Sequence, residues 1–251
     1  MKGEIGVQKE KKIETLRQWV KESRRLVFFG GAGVSTESGI PDFRSTDGLY
    51  RQQYRFPPET ILSHHFFLQQ PEEFFRFYRA KMLCPDAQPN RAHRILAQWE
   101  AEGTLSAVVT QNIDGLHQAA GSRQVWELHG SVHRNHCMDC GRFYGLDAIL
   151  ESQGVPRCSC GGIIKPDVVL YEEPLNETVM RQAAEAIAGA DLLMVGGTSL
   201  AVYPAAGLLR YYAGDRLVVI NRSPTPMDEE ASLLFTDSLG DVLAQVRQET
   251  L

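Results

Sequence analysis

Four cysteines stand in two close pairs, and their spacing is suited to holding a metal ion. Two residues separate Cys137 from Cys140, and one residue separates Cys158 from Cys160. Two tight pairs of thiolates are typical of a structural zinc site, in which four sulfurs form a closed tetrahedron. The spacing predicts one structural zinc ion, with another soft metal or four unligated thiols as the alternatives.

Two histidines and a fifth cysteine lie outside this set. His133 and His136 are close enough in sequence to be rival ligands, but we interpret them as exposed loop histidines. Cys84 is isolated, and we expect it to be a packing residue rather than a nucleophile. The predicted metal ligands are therefore the four cysteines alone.

A glycine-rich segment directly follows a short apolar run. Residues 30–35 read Gly-Gly-Ala-Gly-Val-Ser. Glycines after a strand let the backbone approach a pyrophosphate and offer its N–H groups to the phosphate oxygens. The dinucleotide-binding pattern is incomplete, because Thr36 stands where the third glycine should be, so a tight turn without function is the alternative.

The elements that position these residues alternate between strands and helices. Amphipathic helices are predicted at 8–22 and 92–102, and short buried strands at 26–29, 105–110, 124–128, 191–195 and 217–220. Each predicted strand ends in small or polar residues, which is typical of a parallel α/β sheet with functional loops at its carboxyl edge. The stretches 43–85 and 134–165 break this rhythm, and we interpret them as a helical and a metal-binding insertion that border a cleft.

Composition and charge exclude several classes of protein. The chain has 251 residues, 43% of them hydrophobic and 23% charged, which excludes a disordered, collagenous or coiled-coil chain. The formal net charge of −5 argues against a nucleic-acid partner. No apolar stretch reaches the roughly 18 residues of a membrane span, and the first 22 residues contain no signal-peptide core. Five cysteines without an export signal predict a cytoplasmic protein.

Six sequence blocks together resemble the sirtuins, a family of NAD-dependent protein lysine deacylases. The blocks are the glycine-rich segment through Pro-Asp-Phe-Arg (31–44), Thr-Gln-Asn-Ile-Asp-Gly-Leu-His (110–117), Glu-Leu-His-Gly (127–130), the four cysteines, Lys-Pro-Asp-Val-Val (165–169) and Gly-Thr-Ser-Leu (197–200). They occur in the family's order and approximate spacing, over residues from about 8 to 248.

The resemblance implies a two-domain architecture. A Rossmann-like domain would comprise residues 1–42, 86–133 and 165–251, and a small domain would comprise a helical module, 43–85, and a zinc module, 134–164. NAD would lie between the domains and acyl-lysine would enter from the opposite side. In the family's reaction the acyl oxygen of lysine attacks the ribose as nicotinamide leaves, and the products are free lysine and acylated ADP-ribose.

The resemblance also assigns residues to the cofactor. Phe43 would shield the ribose, and Arg44 would reach a phosphate. Asp114 would accept a hydrogen bond from the carboxamide of nicotinamide. The full set implied to bind NAD is Ala32, Gly33, Thr36, Phe43, Arg44, Gln111, Ile113, Asp114, Thr198, Ser199, Asn221, Ser238 and Leu239. Structural alternatives are a core aromatic at Phe43, a plain turn around Asp114 and a helix cap at Thr198 and Ser199.

Catalysis and substrate binding are assigned in the same way. The resemblance makes His129 the general base and places Asn112 beside it in the catalytic site. Val168 and Val169 would pair with the substrate backbone, next to Tyr171. The family usually has glycine where this chain has Glu172, so either the tunnel mouth favours basic peptides or Glu172 lies in a solvated loop.

The acyl group and the reaction class follow from these assignments. Family members that prefer succinyl or malonyl chains carry Tyr-x-x-Arg in the helical module, whereas this chain has Tyr78 and Lys81. We therefore predict a deacetylase that acts on acetylated lysine in proteins or peptides. We also expect a monomer, with neither nucleic acid nor membrane as a partner. The alternatives are mono-ADP-ribosyl transfer and a zinc module that senses NAD without turnover.

Overall fold

The computed structural model describes residues 2–43 and 55–248, and strands and helices alternate over much of this part. The strands are β1 (Leu26–Gly30), β2 (Leu105–Thr110), β3 (Val125–Glu127), β4 (Gly130–Cys137), β5 (Phe143–Tyr144), β6 (Ile164–Val168), β7 (Leu192–Gly196), β8 (Leu217–Ile220) and β9 (Leu233–Phe235). The helices are α1 (Lys2–Glu22), α2 (Pro58–Ile61), α3 (His64–Gln69), α4 (Pro71–Lys81), α5 (Arg91–Ala101), α6 (Leu116–Ala119), α7 (Asp147–Leu150), α8 (Glu177–Ala188) and α9 (Leu239–Arg247).

Six strands form one parallel sheet in the order β3-β2-β1-β7-β8-β9. The strand order reverses between β1 and β7, so the loops after these two strands diverge and leave a crevice at the carboxyl edge. In the register, Gly30 at the end of β1 lies opposite Thr110 of β2 and Gly196 of β7. The predicted Rossmann-like sheet is confirmed.

Helices cover both faces of this sheet. Phe28 belongs to a core shared with α1, α5 and α9, whereas its neighbour Phe29 belongs to a core shared with α8 and the 3₁₀ segment Ala205–Tyr211. Val108 and Val109 alternate in the same way. Because successive strand residues point to opposite faces, burial on both sides explains why these strands are continuous apolar runs.

The two insertions share a third core. Strands β5, β4 and β6 form an antiparallel sheet, and its residue Ile164 packs in one cluster with Phe67, Phe74 and Phe75 from α3 and α4. The three phenylalanine rings meet edge to face, with centroids 5.0 to 5.9 Å apart. The helical and cysteine-bearing insertions therefore pack as one unit beside the central sheet.

Strand β4 connects two predicted functional regions. It begins at Gly130, directly after His129, and it ends at Cys137. Gly130 has φ +77°, and a Cβ there would lie 1.7 Å from the Asp167 carbonyl oxygen of β6, so only glycine fits. The strand therefore leads from the predicted base to the predicted metal site.

Several elements differ from the sequence prediction. The edge strand β9 and the strands β4 and β5 were not predicted, because runs of two or three residues, or strands with exposed polar positions, carry little periodicity. Of β6, only the end at Val168 was predicted as extended. Helix α1 begins at Lys2 rather than at residue 8. Among the described helices, none combines the length and the apolar character that crossing a bilayer requires.

Candidate active site

A cleft of about 1180 Å³ opens between the carboxyl ends of the parallel strands and the unit formed by the two insertions. Its lining includes every described residue to which the sequence analysis gave a cofactor, catalytic or substrate role: Ala32, Gly33, Thr36, Phe43, Gln111, Asn112, Ile113, Asp114, His129, Val168, Val169, Tyr171, Thr198, Ser199, Asn221, Ser238 and Leu239. Arg44 lies outside the described residues. Phe43 lines the cleft while packing partly against the third core, so it is not a plain core aromatic.

The glycine-rich loop lies against the loop that follows β7. The Gly33 N–H donates to the Gly197 carbonyl at 2.8 Å. A Cβ at Gly33 would lie 2.8 Å from the Gly197 Cα, and one at Gly31 would lie 2.8 Å from the Thr198 Cβ. This close approach requires glycines at 31 and 33, and it places the backbone of residues 31–33 in the lining of the cleft.

A chain of hydrogen bonds organises the polar segment after β2. The Asn112 side-chain amide donates to the Ser35 hydroxyl at 3.0 Å, and Ser35 donates to the Asp114 carboxylate at 2.7 Å. The other carboxylate oxygen of Asp114 accepts the Leu116 N–H at 2.9 Å. Asp114 therefore forms a turn, which was the structural alternative to a role in cofactor binding, and it also lines the cleft.

Ser35 is a site residue that the sequence analysis missed. It is 1% exposed and joins the two predicted polar residues by its hydroxyl. Its position inside the glycine-rich segment was the only available signal, because the partners lie more than 70 residues away in sequence.

His129 is fixed in one tautomer. Its Nδ1 lies 3.0 Å from the Gln111 carbonyl oxygen, which can only accept, so Nδ1 carries the proton and Nε2 keeps its lone pair. Burial lowers the pKa of His129 below 6.5, against the opposing effect of the Gln111 carbonyl. The imidazole is therefore neutral near pH 7 and able to accept a proton at Nε2.

The loops after β7 and β8 supply further polar groups. The Thr198 hydroxyl accepts the Gln111 side-chain amide at 3.0 Å and the Leu200 N–H at 3.2 Å. The helix-cap alternative for Thr198 and Ser199 is wrong, because the next helical segment begins only at Ala205 and its N-cap is Pro204. Ser238 does cap a helix, since its hydroxyl accepts an N–H in the first turn of α9.

The segment after β6 is held by its neighbours. The Val169 N–H donates to the His129 carbonyl at 3.0 Å, and the Tyr171 N–H donates to the Leu62 carbonyl at 3.0 Å. Glu172 has φ +76°, a conformation that favours glycine. The segment predicted to bind the substrate is thus anchored to the predicted base on one side and to the helical module on the other.

The four predicted cysteine ligands come together. Their Sγ atoms all lie within 4.8 Å of one another, with 3.4 Å between Cys137 and Cys160 and 3.6 Å between Cys140 and Cys158. Four sulfurs at about 2.3 Å from a zinc ion would stand about 3.8 Å apart, so the cluster fits this metal. The backbone N–H of Cys160, followed by the Tyr144 hydroxyl, lowers the pKa of Cys158, whereas the neighbouring thiols raise the pKa of Cys160.

Three other sequence interpretations need correction. His133 and His136 lie on strand β4 rather than in a loop, although both are exposed. In the described part of the chain, neither histidine belongs to the metal-binding group. Cys84 is exposed and lines the cleft, so it is not a packing residue.

Comparison with known proteins gives a consistent result. The model of the Sir2 family matches residues 31–204. An NAD-dependent protein deacetylase of Clostridium perfringens is 59% identical over 239 residues, which cover 94% of this chain and 98% of the relative.

Solved Sir2 structures have the same fold. A Sir2 variant with a deacetylated p53 peptide and 3′-O-acetyl ADP-ribose has a TM-score of 0.87 at 39% identity, covering 94% of this chain and 98% of the other. A Sir2 complex with a p53 peptide and NAD⁺ has a TM-score of 0.83 at 40% identity, with the same coverage. The chain belongs to the Sir2 family.

Proposed function

We propose that this protein uses NAD to remove acetyl groups from lysine side chains of proteins. The observation that carries the proposal is that His129, Asp114 and the glycine loop all line one cleft, with Nδ1 of His129 held by the Gln111 carbonyl and the Asp114 carboxylate held by Ser35. The related Clostridium perfringens protein bears the name of this activity, and the related solved structures contain NAD⁺ or an acetylated ADP-ribose.

The overall reaction balances with one water. Acetyl-lysine, NAD and water give free lysine, nicotinamide and O-acetyl-ADP-ribose. NAD supplies the ribose that receives the acetyl group. The protein must therefore bind the dinucleotide, hold the carboxamide of its nicotinamide and remove a proton from a ribose hydroxyl.

Binding falls to the loops at the carboxyl edge of the sheet. The backbone of Ala32 and Gly33, with Thr36, would hold the phosphates, and Phe43 would cover the ribose. Gln111, Ile113 and Asp114 would hold the nicotinamide end, with the Asp114 carboxylate accepting the carboxamide N–H. Ribose and adenine contacts would come from Thr198, Ser199, Asn221, Ser238 and Leu239.

His129 would act as the general base through Nε2, with Asn112 beside it. The Gln111 carbonyl fixes the tautomer that leaves this nitrogen able to take a proton. Asn112 is 8% exposed and held by Ser35, so its amide is oriented before any ligand enters.

The acyl-lysine would lie along Val168, Val169 and Tyr171. Tyr78, which matches the tyrosine of the Tyr-x-x-Arg pair, is fully buried in the third core, where burial strongly raises its pKa. It does not line the cleft, whereas Lys81 does. We therefore infer a preference for acetyl over succinyl chains, which rates on one peptide carrying either group would measure.

The four cysteines would hold one structural zinc ion. Four protein thiolates complete a tetrahedron, so no position would remain for substrate. We also propose that the Rossmann-like domain comprises residues 1–42, 86–133 and 165–251 and the small domain residues 43–85 and 134–164. The protein would act as a monomer. It would work in the cytoplasm, where thiols are kept reduced.

The decisive experiment measures nicotinamide release from NAD with and without an acetylated lysine peptide. We expect release only with the peptide, together with equal amounts of deacetylated peptide and O-acetyl-ADP-ribose by mass spectrometry. Nicotinamide release that instead transfers ADP-ribose to protein, without loss of acetyl groups, would overturn the proposal. NAD binding without any turnover would also contradict it.

A further inference from the structure

His133 contacts the loop that carries Asp114. Its Nε2 lies 3.0 Å from the Asp114 backbone carbonyl oxygen. The carbonyl can only accept, so His133 donates from Nε2. The histidine is exposed on strand β4 and lines the cleft, and the proposed catalytic chemistry makes no use of it.

The next residue of the loop also meets the His133 ring. Gly115 has φ +72°, and a Cβ at this position would lie 2.6 Å from Cδ2 and 2.8 Å from Nε2 of His133. The imidazole therefore rests directly on the Gly115 backbone. Glycine is required there both by the left-handed conformation and by this approach.

One step earlier, the same two segments share a backbone hydrogen bond. The Val132 N–H donates to the Ile113 carbonyl at 3.0 Å. Residues 113, 114 and 115 thus each contact residue 132 or 133 of β4. Asp114 is held through its carboxylate by Ser35 and through its backbone carbonyl by His133.

We propose that His133 is a positioning residue that holds the Asp114 loop in the geometry that recognises nicotinamide. This inference rests on the proposed function, since it assumes that Asp114 accepts the carboxamide of nicotinamide. His133 lies on β4 of the antiparallel sheet, and the Asp114 loop follows β2 of the parallel sheet. Through His133, the antiparallel sheet therefore sets the position of this loop. The effect should fall on the nicotinamide end of the cleft and spare the peptide segment after β6.

Two substitutions separate the hydrogen bond from the bulk of the ring. His133→Leu keeps a side chain of similar bulk against Gly115 but has no hydrogen-bond donor. His133→Gln keeps an N–H donor at a similar distance from the backbone. A neutral hydrogen bond contributes about 1 kcal/mol, which corresponds to about a fivefold change in an affinity.

The test compares steady-state constants of wild type and both variants. For His133→Leu we expect the KM for NAD and the inhibition constant of nicotinamide to rise about fivefold, with the KM for acetylated peptide unchanged. His133→Gln should stay within about twofold of wild type. His65→Leu, at an exposed histidine on α3, is the matched control and should change none of these constants.

Wild-type constants in His133→Leu would overturn the inference. It would also be overturned if both variants lost thermal stability and zinc together, with every kinetic constant changed equally, since that is the result of a merely structural role. Calorimetric affinities for NAD and nicotinamide should show the same fivefold pattern without turnover. They therefore test His133 even if wild type releases no nicotinamide, a result that would count against the proposed function alone.

Discussion

The carboxylate of Glu172 accepts a hydrogen bond from the backbone N–H of His65 at 2.9 Å. This N–H lies in the first turn of α3, where backbone donors have no partner within the helix. The preceding His64 N–H donates to the Tyr171 carbonyl at 3.0 Å. Segment 171–172 therefore caps α3. Glu172 is exposed in a turn and still makes this contact, and an effect of its charge on peptide choice stays a prediction.

Substitutions of Glu172 should separate the cap from backbone strain. Its φ of +76° costs a residue with a Cβ roughly 1 kcal/mol, whereas glycine is free of this cost. Glu172→Ala loses the cap and keeps the strain, so we expect unfolding free energy to fall by about 1 kcal/mol. Glu172→Gly should lie within about 0.5 kcal/mol of wild type. Urea unfolding measures both; equal losses in the two variants would contradict this account.

Ser35→Ala should reduce catalysis. The substitution removes the hydroxyl that accepts from Asn112 and donates to the Asp114 carboxylate. Because a hydrogen bond to a charged group contributes about 1.5–3 kcal/mol, we expect kcat/KM to fall at least about tenfold. Ser106→Ala, at an exposed position of β2, is the matched control. Ser35→Ala with wild-type kcat/KM would show that the chain of hydrogen bonds is dispensable.

Metal analysis should find about one zinc ion per chain, and Cys140→Ser should lose it. Loss of the ion should lower the melting temperature, because it removes the link between the end of β4 and the segment that carries Cys158 and Cys160. Cys84→Ser is the matched control for zinc content, since Cys84 lies outside the cluster. Full zinc content in Cys140→Ser would exclude a four-thiolate site.

His93 should make the fold sensitive to acid. Burial lowers its pKa to about 4, with an opposing effect from Asp114, and its Nδ1 accepts the Asn90 N–H at the start of α5. Between pH 6.5 and about 4 the unfolded chain binds a proton that the folded chain does not, so stability falls as pH falls. The destabilisation from His93 therefore grows as the pH falls over this range.

His93→Gln tests this dependence. Glutamine does not titrate and is the usual partner in a capping box, so it can accept the Asn90 N–H in place of the imidazole. Urea unfolding of both proteins at about pH 7 and about pH 5 should show a smaller loss in the variant. An identical loss would mean that other groups control the acid response.

The residues at strand ends could be predicted because the signal is local. β1, β2 and β7 are apolar runs that stop at glycines, amides or hydroxyls, and parallel strands bring those ends to one edge. The cysteine cluster was predictable for a similar reason, since the spacing of each pair already sets two thiolates on one turn.

Contacts between distant segments could not be predicted in the same way. Ser35 bonds Asn112 and Asp114, and the His133 ring contacts Gly115, only because loops that are distant in sequence pack against each other in the fold. The type of a single residue carries no information about which distant loop will pack against it. The role of Glu172 is hidden for the same reason, because its partner is a backbone N–H of another module.

His129→Ala should abolish turnover and leave NAD binding intact. Removal of a general base costs roughly 10²- to 10⁴-fold in rate, whereas the glycine loop proposed to hold the phosphates makes no contact with the imidazole. In wild type, burial places the pKa of His129 below 6.5, so kcat/KM should fall as pH drops through that region and should not depend on this group near pH 8. Calorimetry with NAD, together with a pH profile of nicotinamide release, measures both effects. If His129→Ala still turns over, and its rate falls at low pH as in wild type, the general base is another residue.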